Sequence, residues 1–163
     1  MTTVAPLSFT DLSRQARPYP SYLLPQKGDA LALFGAGFHG WNDVVHFARQ
    51  GLITDVVDVD GDKLMEMAII YPPGIITHEV DAWDYAEGAA AIGQQWDVVS
   101  VDPFLGDAAE RAWDSLYLWC SLARQMLTLT VTPRARTFNL LDGWTSSFFP
   151  RSANAAWMVL RRD

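Results

Sequence analysis

The sequence has little of the features that mark several large classes of protein. It contains one cysteine, Cys120, in 163 residues, which excludes an internal disulfide framework and a cysteine-rich zinc site, so we expect no metal. No apolar run reaches the roughly 18 residues that a membrane-spanning helix needs. The N-terminal segment lacks the basic start and apolar centre of a signal peptide. We therefore expect a cytoplasmic protein that has no membrane partner.

Basic residues are also scarce. The chain has 12 lysines and arginines against 19 aspartates and glutamates, which gives a net charge of −7. Nucleic-acid binders usually carry a basic patch, because phosphate contacts supply most of their non-specific affinity. The charge balance therefore disfavours a nucleic-acid partner and favours a small molecule or a protein. Half of the residues are hydrophobic, which is enough to form one domain over residues 1–163, with 1–28 as an N-terminal lid or helix region.

Short apolar runs and helical patterns alternate along the chain, which is typical of βαβ units and a mostly parallel sheet. Asp107 and Glu110 have the capping-box spacing and are expected to start one long helix. Trp144 is expected to lie in a loop before Pro150 that offers an apolar patch to a partner or to a second subunit. A homo-oligomer is therefore compatible with the sequence. The expected strands are 30–34, 55–60, 75–80, 96–102, 127–132, 137–141 and 155–160.

The chemistry begins in a glycine-rich loop after the first expected strand. Gly35, Gly37 and Gly40 are separated by Ala36 in the first interval and by Phe38 and one further residue in the second. A helical pattern begins directly after this loop. Glycines let the backbone approach a ligand closely, and the start of the helix aims unpaired N–H groups at that ligand. The loop therefore predicts a binding site.

An acidic residue follows this loop at the end of the next strand. Asp58 lies 18 residues beyond Gly40, where a carboxylate can accept hydrogen bonds from both hydroxyls of an adenosine ribose. Two cofactor classes share this geometry. Nicotinamide and flavin dinucleotides place a pyrophosphate at the start of the helix, whereas S-adenosylmethionine lays its methionine part along the loop. The spacing alone leaves both classes open.

Four segments together resemble the class I (Rossmann-like) S-adenosylmethionine-dependent methyltransferase family. LFGAGFHG is similar to its first motif, VVDVDGDKL to its second, HEVDAWDY to the segment after the third strand, and WDVVSVDPF to its fourth motif. The resemblance covers roughly residues 30–132. It implies an α/β Rossmann-like three-layer sandwich, with a mostly parallel sheet and a C-terminal antiparallel strand. It also implies S-adenosylmethionine as the cofactor and a methyltransferase activity.

The resemblance implies roles for individual residues. Asp58 would bind the ribose, Asp81 would approach the adenine amino group with Trp83 beside the ring, and Asp102 with Phe104 would form the catalytic acceptor pocket. No dedicated base stands out, and methyl transfer mostly needs positioning. The residues implied to bind the cofactor are Gly35, Ala36, Gly37, Phe38, Gly40, Asp58, Val59, Asp81, Ala82, Trp83 and Asp102.

Three other functions are compatible with the same residues. An NAD(P)-binding Rossmann protein is favoured by the glycine spacing, but Asp-Pro-Phe after the fourth strand is atypical of it. An aminopropyltransferase similar to polyamine synthases would use acids such as Asp84 and Asp107 around an amine substrate. A catalytically silent cofactor-binding protein would keep the fold without turnover. The helix N-cap is the structural alternative for Asp81.

Overall fold

A computed structural model shows an α/β architecture and describes residues 2–4, 19–37, 40–70, 73–103, 106–132, 136–138, 140–152 and 155–163. The strands are β1 (Thr2–Val4), β2 (Asp29–Leu33), β3 (Ile53–Asp58), β4 (Ile75–Glu79), β5 (Trp96–Val101), β6 (Ala123–Val131), β7 (Arg136–Phe138), β8 (Trp144–Ser152) and β9 (Ala155–Arg162). The helices are α1 (Gly40–Gln50), α2 (Gly61–Ile70), α3 (Ala82–Ala91), α4 (Asp107–Asp114) and α5 (Leu116–Leu122). A short 3-10 helix spans Ser21–Leu23, within the expected N-terminal region.

The main sheet has seven strands in the order β4-β3-β2-β5-β6-β9-β8. The first five of these strands are parallel, β9 runs antiparallel to β6, and β8 runs antiparallel to β9. β1 and β7 form a separate antiparallel pair. The prediction of a mostly parallel sheet with a C-terminal antiparallel strand is therefore confirmed.

The sheet is covered on both faces, because successive side chains of a strand point to opposite sides. Leu31 and Leu33 of β2 belong to a core that includes residues of α3, α4 and α5. Ala30 and Ala32 of the same strand belong to a second core with Phe47 of α1 and residues of α2. The result is the predicted three-layer sandwich.

The segment between β5 and β6 differs from the sequence prediction. The expected long helix is divided at Ser115, whose Oγ donates to the Arg111 carbonyl at 2.8 Å. The expected capping box is also wrong, because α4 begins after Gly106 and its N-cap makes no side-chain hydrogen bond. Gly106 has a φ of 99°, a conformation that a glycine adopts without strain.

The expected loop around Trp144 is wrong as well. These residues form β8, and the Trp144 ring is buried in the core rather than exposed. Pro150 is accommodated because β8 is the edge strand, where a missing N–H costs no ladder hydrogen bond on the open side. No helix that the structure describes is both long and apolar enough to cross a bilayer.

Candidate functional site

The candidate site lies where the order of the strands reverses. The chain leaves β2 for β3 on one side, and β5 lies against β2 on the other side. In an open α/β sheet, the crevice outside the carboxyl ends of such strands is the usual place for a ligand. Asp58, Asp81 and Asp102 lie at or just beyond the ends of β3, β4 and β5, so the fold brings the three predicted acids to one edge.

The glycine loop packs closely on the neighbouring strand. A Cβ atom at Gly35 would lie 2.6 Å from Val56 Cγ1 and 2.9 Å from the Ala32 carbonyl oxygen. The Gly35 N–H donates to the Val57 carbonyl at 3.1 Å, which fixes the start of the loop against β3. Phe34, just before it, has a φ of 59°, a strained value for a residue with a side chain.

Beyond this loop, α1 begins at Gly40 as expected. Phe38, which the sequence placed in the cofactor site, lies outside the described residues. The described part of this loop therefore runs from the end of β2 to Gly37.

Asp58 links this loop to the end of β3. Its Oδ2 accepts a hydrogen bond from the Ala36 N–H at 3.1 Å, and its Oδ1 accepts one from the Asp60 N–H at 3.0 Å. The backbone carbonyl of Asp58 accepts from the Val80 N–H at 3.0 Å. The carboxylate is thus fixed beside the loop that precedes it by about 20 residues. Val59, the next residue, is 69% exposed at this edge.

An acidic cleft opens beside Asp58. Its volume is about 520 Å³, and it is lined by Val59, Asp60, Gly61, Asp62, Met65 and Glu79. Glu79 lies against the start of α2, because a Cβ atom at Gly61 would come within 2.6 to 2.7 Å of its carboxyl group. Three of the six lining residues are acidic and none is basic. Sequence reasoning missed Glu79 and Gly61, because no local pattern joins the end of β4 to the start of α2.

The three predicted adenine-binding residues have clear structural roles. Asp81 is the N-cap of α3, and its Oδ1 accepts from the Asp84 N–H at 3.0 Å, so the N-cap alternative is confirmed. Ala82 and Trp83 are buried in the core. Trp83 stacks edge-on against Phe34 with ring centroids 5.2 Å apart. The indole therefore packs against the residue that precedes the glycine loop, while the adenine contact stays a prediction.

Asp102 lies in a buried ion pair. Its two carboxylate oxygens accept hydrogen bonds from Arg151 Nη1 and Nη2 at 2.9 and 3.0 Å, and both side chains are at most 4% exposed. Arg151 Nη1 also donates to Thr130 Oγ1 at 2.7 Å. The Asp102 N–H donates to the Leu33 carbonyl at 3.2 Å, which places Asp102 directly beside the start of the glycine loop. Phe104, the other predicted acceptor residue, lies outside the described residues.

A second buried carboxylate, Asp43, lies next to this pair. It belongs to the first turn of α1 and is 1% exposed. Its Oδ2 accepts from Ser100 Oγ at 2.5 Å, and its Oδ1 lies 3.9 Å from Arg151 Nη1. Burial, and then the charge of Asp102, raise the pKa of Asp43 to about 7.

Sequence reasoning selected Asp102 but missed Asp43 and Arg151. A charged residue in a helical turn or a strand is normally exposed, and no pattern in the sequence marks these two as buried. Tyr19 also lies near Asp43, and its hydroxyl is 2.7 Å from Thr128 Oγ1. Burial, followed by the charge of Asp43, raises the pKa of Tyr19 well above its usual range.

The comparisons with known proteins support the fold. No family model and no curated protein matches the sequence. Among solved structures, a SAM-dependent methyltransferase from Agrobacterium tumefaciens has a TM-score of 0.58 at 12% identity, over 95% of this chain and 59% of its own. A SAM-dependent methyltransferase from Neisseria gonorrhoeae has a TM-score of 0.53 at 15% identity, over 83% of this chain and 62% of its own.

A hypothetical protein of Thermus thermophilus has a TM-score of 0.62 at 18% identity, over 98% of this chain and 94% of its own. Identities in this range establish a shared fold. The chain therefore has the fold of the class I, Rossmann-like methyltransferases, as the sequence motifs predicted.

Proposed function

We propose that the protein is an S-adenosylmethionine-dependent methyltransferase that acts on a small-molecule or protein acceptor. The observation that carries this proposal is the hydrogen bond between Asp58 and the Ala36 N–H of the glycine loop. It fixes an acid, which can bind a ribose, beside a glycine loop, which can bind the part of the cofactor attached to that ribose. Gly35, Gly37 and Gly40 would lie along the methionine part of the cofactor.

The charges beside Asp58 favour a cofactor with a free ribose over one that carries a 2′-phosphate. Asp60, Asp62 and Glu79 line the cleft beside Asp58, and none of its lining residues is basic. A 2′-phosphate on a ribose bound there would be repelled. This argument counts against NADP, and the titration described below separates S-adenosylmethionine from NAD. In the cleft, Val59 offers an exposed apolar surface for a purine ring.

The residues of the chain would act mainly by positioning. When bound, the cofactor supplies an electrophilic methyl group on a sulfonium. The glycine loop would lie along the methionine part and Asp58 would hold the ribose, while Asp81, Ala82 and Trp83 would close the adenine side. Asp102 and Phe104 would lie on the acceptor side, where the nucleophile has to be aligned with the methyl carbon. In this arrangement Arg151 holds the Asp102 carboxylate in one orientation.

A catalytically silent cofactor-binding protein is the second candidate, and the Asp102 pair favours it. Both oxygens of Asp102 already accept hydrogen bonds from Arg151, and the side chain is 2% exposed. An amine nucleophile would have to share an acceptor that the guanidinium occupies. The two candidates differ only in turnover, so they predict the same cofactor affinity.

Calorimetric titration with S-adenosylmethionine, S-adenosylhomocysteine and NAD tests the cofactor. We expect micromolar binding of the first two ligands and no binding of NAD. Asp58→Ala should weaken both by about 1–3 kcal/mol, the value of a hydrogen bond to a charged group. Asp142→Ala, an exposed acid at the turn before β8, is the matched control and should change neither affinity. Binding of NAD alone would refute the proposal.

Turnover is tested separately from binding. The protein is incubated with methyl-labelled S-adenosylmethionine and either a small-molecule extract or a protein extract, and formation of S-adenosylhomocysteine is followed. Acceptor-dependent formation supports the methyltransferase. Tight cofactor binding without any formation in either extract supports the silent binder.

A further inference from the structure

The buried carboxylate of Asp43 has no place in the function proposed so far. It lies in the first turn of α1, directly after the glycine loop, and it is buried. The charged and titratable groups that face it are Asp102 at the end of β5, Arg151 of β8 and Tyr19 before β2. Ser100 of β5 donates a hydrogen bond to it, and the Trp157 indole of β9 interacts with it without forming a hydrogen bond of good geometry.

We propose that Asp43 is a specificity-determining residue that makes the site prefer the cationic cofactor S-adenosylmethionine over its neutral product S-adenosylhomocysteine. The inference rests on the proposed function. The two ligands share the adenosine, the ammonium and the carboxylate, and differ at the sulfur, which is a cationic sulfonium in one and a neutral thioether in the other. The charge of Asp43 affects the groups that both ligands share equally, so its effect on the ratio of the two affinities comes from the sulfonium alone.

The geometry leaves the Asp43 charge only partly compensated. Arg151 makes two short hydrogen bonds to Asp102, at 2.9 and 3.0 Å, whereas its nearest approach to an Asp43 oxygen is 3.9 Å. The indole N–H of Trp157 interacts with Asp43, but Oδ1 of Asp43 reaches no hydrogen bond of good geometry with the described residues. Because the side chain is 1% exposed, solvent screens its charge weakly.

The charge of Asp43 can also be changed without a mutation, by protonation of its carboxylate. Burial and the nearby Asp102 raise the pKa of Asp43 to about 7, so the carboxylate changes charge near neutral pH. The sulfonium keeps its charge at every pH. The preference for S-adenosylmethionine should therefore be present at pH 8, where Asp43 is ionised, and should decrease at pH 6, where it is mostly protonated.

The test is the ratio of the two dissociation constants, measured by calorimetry at pH 8 and pH 6. At pH 8 we expect Asp43→Asn to lower the preference for S-adenosylmethionine by about four- to sixteenfold. Coulomb's law gives this range for two charges about 10 Å apart at an effective dielectric constant of about 20 to 40. Lowering the pH to 6 should produce a similar decrease in the wild-type protein and none in Asp43→Asn. Asp142→Asn removes an exposed acid at the opposite end of β8 and should leave the ratio unchanged.

The possible outcomes distinguish a failure of this inference from a failure of the proposed methyltransferase function. If both ligands bind and the ratio is the same in Asp43→Asn and independent of pH in the wild type, the inference is refuted and the methyltransferase proposal stands. If neither ligand binds to the wild-type protein, the proposed function fails and the inference fails with it. The asparagine can still accept the Ser100 hydrogen bond, so we expect it to fold. If it does not, Asp43→Ser, a smaller neutral substitution, replaces it in the same comparison at pH 8.

Discussion

The Arg151 guanidinium offers the most direct test of the buried ion pair at the end of β5. In Arg151→Met a side chain of similar length but without charge replaces it. The change removes two hydrogen bonds to Asp102 and one to Thr130, and it removes the cation that Asp102 and Asp43 share. All three of the charged side chains are at most 4% exposed, so water cannot take the place of the guanidinium without a rearrangement.

The magnitude follows from the burial of the pair. Removing one partner of a buried ion pair typically costs about 3–5 kcal/mol, because it leaves an uncompensated buried charge. In a chain of this size a loss of that order lowers the melting temperature by about 6–20 °C. The loss should be smaller at pH 5 than at pH 8, since Asp43 takes up a proton as the pH falls through about 7. Adding Asp102→Asn to Arg151→Met should recover part of the stability, because a neutral residue then replaces the second charge.

Urea unfolding at pH 8, followed by tryptophan fluorescence, measures these free energies directly. Arg161→Met is the matched control, because Arg161 lies on β9 of the same hairpin but is exposed, and its loss should cost less than about 0.5 kcal/mol. A loss below about 1 kcal/mol for Arg151→Met, with an unchanged m-value, would show that the pair is not buried as described. An equal loss in Arg151→Met and Arg161→Met would lead to the same conclusion.

Three further predictions concern the loop and the two acids beside it. Gly35→Ala places a Cβ atom 2.6 Å from Val56 Cγ1 and should cost about 1–3 kcal/mol of stability in urea unfolding; a neutral result would mean that the loop is not packed on β3. Asp58→Ala removes the acceptor of two backbone N–H groups and should lower the unfolding free energy by about 1–3 kcal/mol without any ligand, so an unchanged urea midpoint would contradict its structural role. For Asp43, the folded pKa of about 7 lies above the unfolded value near 4, so the folded state holds the extra proton between those pH values. Its contribution to the unfolding free energy should therefore fall by about 1.4 kcal/mol per pH unit from pH 4 to pH 7, and Asp43→Asn should show no such contribution in urea midpoints measured across that range.

Much of the sheet could be predicted from the sequence, because buried parallel strands are short, continuous apolar runs. The strand that ends at Leu33, the strand that ends at Asp58 and the strand that ends at Val101 all lie where the apolar runs predicted them, to within a few residues. The alternation of these runs with helical patterns fixed the order of the elements. Parallel pairing then follows from that order, since consecutive strands are joined by helices across the sheet.

Two elements could not be predicted because tertiary packing overrides their local signals. Around Ser115 the helical pattern is uninterrupted, yet the chain breaks there into α4 and α5, and Trp83 Nε1 donates to Ser115 Oγ at 3.1 Å. In β8, serines and Pro150 indicate a loop, but an edge strand tolerates both, because one of its sides forms no ladder. At Ser115 this contact comes from a residue 32 positions away in the sequence, and in β8 the position at the edge of the sheet decides.

The candidate site shows the same division between local and distant information. Asp58 was predictable because a loop, a helix and a strand of ordinary length bring it back to the loop that it binds. Asp102 was predictable as a position, since it directly follows an apolar strand. Its partner Arg151 lies 49 residues later in β8, the edge strand, which β6 and β9 separate from β5. No local pattern marks a buried arginine. Because that arginine holds both carboxylate oxygens, an acceptor that used Asp102 as proposed would have to share the carboxylate with Arg151. The proposed function therefore involves the C-terminal hairpin, although the motifs that predict the fold end before it.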